Sequence, residues 1–210
     1  MKWQIQILFW FSISFLWTGF VSIFKCMNWA EQRNGFDLFD PVQYLLPPPV
    51  DLSYVIFFLI YFGVIASIIQ SYREGLTRLS FALIGYAFIL YFRSLTILVF
   101  PLNPPFGMIP LNDPMVDLFS SEKIVFTKDL FFSGHTATLV YLFLIARNNM
   151  LKRLLLGISL IVIGGILIQR VHYSFDIGGG FLFAWIIFKI ISKLESKFKI
   201  SSQSLSKLLS

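Results

Sequence analysis

Charge is scarce in this sequence: Asp, Glu, Lys and Arg make up 13% of its 210 residues, against 57% hydrophobic ones. Soluble domains carry about a quarter charged and about half apolar residues, so a water-soluble fold of this size has nowhere to bury the excess. There is a single cysteine, Cys26, which excludes an intrachain disulfide. Histidine occurs only as His135 and His172. That confines imidazole chemistry to two positions and leaves a closed Cys/His zinc site short of ligands. All nine prolines fall in two stretches, 41–49 and 101–114. There is no long linker, internal repeat or low-complexity tract to suggest a second soluble domain.

Six apolar segments remain, each near the ~20 helical residues needed to cross a hydrocarbon core. They run over Trp3–Phe24, Leu52–Gln70, Leu79–Phe100, Asp129–Ala146, Leu154–Gln169 and Asp176–Ser192. The expected fold is all-α, a polytopic bundle of six transmembrane helices. The first segment is too long for the h-region of a signal peptide and no A-x-A-like site follows it, so it reads as a retained helix. One side of the bundle would hold eleven basic residues (Lys2, Arg73, Arg78, Arg147, Lys152, Arg153, Lys189, Lys193, Lys197, Lys199 and Lys207) against Glu74 and Glu195. The other would hold six (Lys25, Arg33, Arg93, Lys123, Lys128 and Arg170) against nine carboxylates. This asymmetry predicts cytoplasmic termini, with the proline-bearing loops facing outward as caps at headgroup level. It also accounts for the net charge of +6 as membrane topology, with no call on nucleic acid. The basic, serine-rich stretch from Lys193 to Ser210 reads as a solvated tail at the membrane surface.

Both histidines fall at predicted outer ends of helices. In His172-x-x-x-Asp176, a helical conformation would put the carboxylate on the histidine's face, able to hold one ring nitrogen while the other acts as nucleophile. The alternative is a helix-capping aspartate beside an interfacial histidine. In Ser133-Gly134-His135, a helix beginning here would offer backbone N–H groups and its dipole to an anion, with glycine permitting close approach of a phosphate; an ordinary N-cap serine is the alternative. Arg93 lies about two turns inside the third segment, where charge is costly unless paired, and Arg170 precedes His172 by two residues. An arginine fork suits phosphate oxygens. A structural ion pair or snorkelling would explain Arg93 equally, and snorkelling would explain Arg170. Asp129 either meets a cationic headgroup or pairs with Lys128. The glycine runs Gly164-Gly165 and Gly178-Gly179-Gly180 suggest close helix packing.

These residues resemble the type 2 phosphatidic acid phosphatase superfamily, and within it the sphingomyelin synthase branch. Ser133-Gly134-His135 resembles the superfamily's second motif, and His172 with Asp176 the end of its third, whose arginine usually stands farther upstream than Arg170. The branch's Asp-x-x-[Phe/Tyr]-Ser-Gly-His-Thr resembles Asp129 through Thr136, and its His-Tyr-Thr-x-Asp resembles His172 through Asp176 with Ser174 in place of threonine. Arg93-Ser94-Leu95-Thr96 and Pro48-Pro49-Val50-Asp51 resemble two further elements of the branch. The superfamily's first motif, a lysine followed by Arg-Pro, has no counterpart, and the branch's Cys-Gly before the aspartate is Thr127-Lys128. The resemblance spans roughly Pro48 to Ile187. It divides the chain into residues 1–47 (first helix and outer loop), a catalytic membrane domain over 48–192 and a cytosolic tail over 193–210.

The resemblance implies a membrane enzyme with an outward site and neither metal nor cofactor. It would transfer a phosphocholine- or phosphoethanolamine-type headgroup from a glycerophospholipid donor to a lipid alcohol such as ceramide or diacylglycerol. His172 would be the nucleophile, Asp176 its orienting partner and His135 the acid and base, with Arg93, Arg170, Asp129, Ser133 and Gly134 binding substrate. Hydrolysis by a lipid phosphatase or phospholipase C is the alternative within enzymes, and a lipid transporter the alternative outside them.

Overall fold

The structure, a computed structural model, describes residues 2–113 and 125–208. Pro114, Lys123 and two of the outer carboxylates counted above, Asp117 and Glu122, lie outside the described residues. Seven helices are found among the described residues: α1 (Lys2–Glu31), α2 (Pro41–Leu45), α3 (Ser53–Arg73), α4 (Leu76–Val99), α5 (Gly134–Ile145), α6 (Asn149–Ile168) and α7 (Ser174–Leu208). Their starts follow local chemistry. Asp40 caps α2 ahead of Pro41, Asn148 accepts from the amides of Met150 and Leu151, and Ser133 accepts from that of Thr136. Between α3 and α4 the chain reverses through Gly75, whose φ of 114° is open to glycine at no cost.

Five helices are long and apolar enough to cross a membrane: α1, α3, α4, α6 and α7 over Ser174–Phe198. Their outward surfaces are apolar, with Trp17 70% and Phe58 69% exposed, as expected where the solvent is lipid. The expected fourth span is corrected. Instead of a helix over Asp129–Ala146, the helix α5 has 12 residues, and Asp129–Phe132 is not helical. The physical reason is that its carbonyls are already claimed. Arg93 donates to the carbonyls of Asp129 (2.9 Å) and Phe132 (3.2 Å), and Thr96 donates to that of Phe131 (2.8 Å). At about 18 Å, α5 is shorter than a ~30 Å hydrocarbon core, and it is the buried centre of the bundle, packed on α3, α4, α6 and α7.

One further expectation changes. Helix α7 runs through the boundary expected at 192/193, because Glu195 is buried at 4% exposure and bonded to Arg78 of α4 at 2.5 Å. Helix α1 packs along α4, and the loop after it is zipped to the second proline loop. There Phe36 N–H donates to Pro101 O (2.7 Å), Asn103 N–H to Phe36 O (2.9 Å), and the Asn103 amide pairs with Gly35.

Candidate active site

The C-terminal end of α4 and the N-terminal ends of α5 and α7, on the side read as outer from the charge counts, meet around the two histidines. Ser133 follows the non-helical stretch Asp129–Phe132 and caps α5, which begins at Gly134. Its own N–H is occupied, donating to the carbonyl of Asp176 at 3.0 Å. This bond ties the two motifs together directly. Gly179 and Gly180 allow the approach: a Cβ on Gly180 would stand 2.9 Å from the Ser133 carbonyl oxygen, and one on Gly179 would stand 2.7 Å from the Phe131 ring. Gly178 and Gly164 have no such neighbours, and their close-packing role is not found.

His172 and Asp176 are buried, at 1% and 0% exposure. His172 precedes α7, so the two do not share a helical face. Instead Asp176 reaches back from the first turn, accepting the Tyr173 N–H through Oδ2 at 2.9 Å, as an N3 carboxylate does in a capping box. The same oxygen lies 3.5 Å from Nδ1 of His172. The carboxylate thus caps the helix and stands beside the imidazole, without the shared helical face that the spacing suggested. The contact is longer than a formed hydrogen bond, as is common at sites without substrate. The rings of His135 and His172 are 6.0 Å apart, and Phe57 meets His135 edge-on at 5.8 Å.

Buried polar atoms are almost always hydrogen-bonded, so exceptions mark places where a ligand or chemistry is needed. Six buried side-chain atoms among the described residues have no partner, and three belong to this site: His135 Nδ1, His172 Nδ1 and Asp176 Oδ1.

Arg93 is buried and paired, with Nη2 2.6 Å from Asp129 Oδ2. The ion-pair alternative is thus what forms, and Asp129 joins Arg93 in place of Lys128, whose amine donates to the carbonyls of Glu31 and Arg33. The guanidinium lies flat over Gly134, where a Cβ would fall 2.4 Å from Nη1. Only glycine fits there. Burial pushes the Asp129 carboxyl above the usual range, while the charges of Arg93 and then His172 pull it back. Arg170 is not brought to the cluster: with φ at 58° its guanidinium donates to the Phe106 carbonyl of the outer loop at 3.1 Å. Among the described residues no group of three or more His, Cys, Asp or Glu could hold a metal ion.

Several supporting residues have no prominence in the sequence. Asp40 accepts the Ser174 N–H (2.6 Å) and hydroxyl (2.9 Å), and Gln43 donates to the His172 carbonyl (3.3 Å). Gln169, fully buried, accepts from Leu52 N–H and donates to Ser53 and to the carbonyls of Ile109 and Pro110. Glu31 accepts the amides of Thr127 and Lys128. Only Asp40-Pro41 carries a local signal, that of a helix start.

Fold and site together define a multi-pass helical membrane protein with a buried histidine pair and carboxylate near the ends of its helices. Residues 128–194, about a third of the chain, match the family model described as PAP2 superfamily C-terminal. The match contains both histidines and Asp176, and it supports placing the chain in the type 2 phosphatidic acid phosphatase superfamily. Lipid phosphatase or phosphotransferase activity on substrates in a membrane fits that similarity. The chain matches no curated protein and no solved structure.

Proposed function

We propose that the protein transfers a phosphodiester headgroup from a glycerophospholipid to a lipid alcohol of the ceramide or diacylglycerol kind, through a phosphohistidine. The observation that carries this reading is the buried pair His172–Asp176 with the His135 ring 6.0 Å away and no partner on the Nδ1 atoms. Asp176 faces Nδ1, which leaves Nε2 of His172 as the nucleophile. Nε2 attacks phosphorus and the bond to the diacylglycerol oxygen breaks, while His135 gives that oxygen its proton. His135 then takes the proton of the incoming alcohol, whose oxygen displaces Nε2 and restores His172. Asp176 stabilises the imidazolium between the two steps. Arg93 and the Gly134 amide hold the phosphate oxygens as charge develops, where preorganised donors are worth most; for this Arg93 exchanges part of its bond to Asp129.

The charge asymmetry of the loops supports an outward site with both termini cytosolic, and the two motifs of the sphingomyelin synthase branch support transfer. The missing lysine and Arg-Pro motif of the lipid phosphatases points the same way. Water in place of the alcohol would make the same site a hydrolase. The deciding experiment supplies headgroup-labelled phospholipid to the full chain in vesicles with ceramide, with diacylglycerol or with no acceptor. Label on the acceptor is the expected product. Free phosphoryl headgroup or phosphate at equal rate in all three arms overturns transfer in favour of hydrolysis.

A further inference from the structure

A cleft of about 520 Å³ opens from the site into the bundle. Its mouth is formed by Arg93, Gly134 and His135, and its far end by Ser71, Leu79 and Ile145. The back wall is α4 and α5, while the sides come from α1 (Leu16, Phe20) and α3. Phe20 and Ile68 at its rim are each 44% exposed on the lipid-facing surface, so the cleft is open sideways between α1 and α3.

Its polarity is graded. The side chains with charge or an aromatic hydroxyl (Arg93, His135, Asp113, Tyr61 and Tyr86) are gathered in the half nearer the site. The inner half is lined by Val64, Leu79, Leu142 and Ile145, and the Ser67 hydroxyl there is turned onto the Gly63 carbonyl of its own helix at 2.7 Å. Its length follows from helix geometry. The stretch of α4 from Leu79 to Arg93 is about 21 Å long at ~1.5 Å per residue. One leaflet of hydrocarbon is about 15 Å deep, half of ~30 Å. A chain lying in this cleft with its head at Arg93 would extend past the bilayer midplane.

We propose that the cleft is an acyl-chain site that measures length: it takes a long, extended acyl chain of the lipid whose phosphate ester lies between Arg93 and the two histidines. The proposal rests on the lipid phosphate-ester reading of the site. Moving a chain from bilayer to cleft gains no hydrophobic free energy, because lipid tails are already apolar. Discrimination therefore comes from contact. A short chain leaves the inner end without partner atoms and forfeits dispersion along Leu79, Leu142 and Ile145, whereas a chain that reaches them keeps it.

The test uses the full-length protein in vesicles with donors of one headgroup and either decanoyl or palmitoyl chains. Ser67→Phe plugs the cleft about a turn above its floor and is expected to lower the palmitoyl-to-decanoyl rate ratio about tenfold, the scale of misfit in an apolar pocket. Leu79→Ala, which removes floor contacts that only the longer chain reaches, is expected to lower the ratio as well, but by less. A readout free of turnover is the chain length of lipids that co-purify with His172→Ala, with and without Ser67→Phe, by mass spectrometry. Correctly folded Ser67→Phe and Leu79→Ala proteins whose rate ratios and bound-lipid profiles equal the parent's overturn the cleft assignment. A shifted bound-lipid profile with no turnover on any phosphate ester keeps the acyl site and overturns the reaction instead.

Discussion

The same three helices, α4, α5 and α7, carry a buried charge cluster at each end, and the two are built on opposite principles. At the inner end Arg78 bonds Glu195 and the Ile145 carbonyl that closes α5, and Glu74 and Arg147 complete the ring, with Arg147 3.3 Å from Glu195. No atom of that cluster is among the buried ones without a partner. A cation over a helix C-terminus also meets the negative end of its dipole. At the outer end, about 22 Å away along α4, Arg93 is paired but the histidines and Asp176 keep buried atoms unpaired. Saturation marks the inner cluster as a clamp between helices. Incompleteness at the other end is what the proposed substrate site requires.

If that contrast is right, single changes at the two ends should fail in different ways. The largest effect expected is from His172→Ala: loss of turnover by roughly three orders of magnitude, about 4 kcal/mol in barrier. Thermal unfolding of the purified protein should stay near the parent's, because little packing is lost. A correctly inserted His172→Ala that still transfers headgroups would end the phosphohistidine proposal. Next is Arg78→Met, which leaves buried Glu195 only the half-exposed Arg147 as a cation and should cost up to roughly 3–5 kcal/mol of stability, read as a large fall in Tm and yield. The fraction that folds should turn over at nearly the parental rate per molecule. Arg78→Met combined with Glu195→Met should recover most of the Tm, since an apolar pair replaces the ions. If instead Arg78→Met abolished activity in stably folded protein, the inner cluster would be more than a clamp.

How much of this was legible in the sequence differs between the same two regions. The outer motifs are local: Ser133-Gly134-His135 and His172 to Asp176 name their residues within a few positions, so the expectation that the two histidines meet could be drawn from the sequence. The inner clamp joins residues 117 apart in sequence, so Arg78 and Glu195 looked like loop and tail charges and α7 was expected to end some sixteen residues early. The same blindness produced the overlong fourth span. Asp129–Phe132 has the composition of a helix, and only Arg93 and Thr96, more than thirty residues upstream, take its carbonyls away. Asp40, Gln43 and Gln169 were unreadable for this reason too: a loop polar residue acquires a role only from what the fold sets opposite it.

Asp40 tests whether holding the histidine loop counts as part of the outer end. Its two oxygens take both the amide and the hydroxyl of Ser174, and Gln43 one turn on holds the His172 carbonyl. Asp40→Ala should release this loop and lower turnover about tenfold, in kcat more than KM, as small misplacements of a reacting group do. Asp40→Asn, which keeps one acceptor oxygen, should recover part of the rate. Equal kcat in parent and Asp40→Ala would show that α7 alone sets the position of His172.

The smallest effect expected is at Asp51, which lies at the outer end but is built like the inner one. Its Oδ1 accepts the Ser53 hydroxyl at 2.6 Å and the Ser53 N–H at 2.9 Å, closing the turn that leads into α3. These bonds, the hydroxyl's first, hold its carboxyl below the usual value of 3.8. A carboxyl depressed in the folded state contributes stability that is present above the unfolded value and lost as pH falls through the lower folded one. The group is largely exposed and screened by water, so the contribution is roughly a few tenths of a kcal/mol. Asp51→Asn keeps an acceptor for Ser53 and removes the charge. It should lower Tm slightly at neutral pH, with the gap to the parent closing as pH drops below about 4, and leave turnover unchanged. A Tm gap that persists at low pH would trace the loss to the geometry of the turn. A fall in turnover would mean that proximity to the outer end, and not the presence of unpaired buried atoms, decides which charges take part in the chemistry.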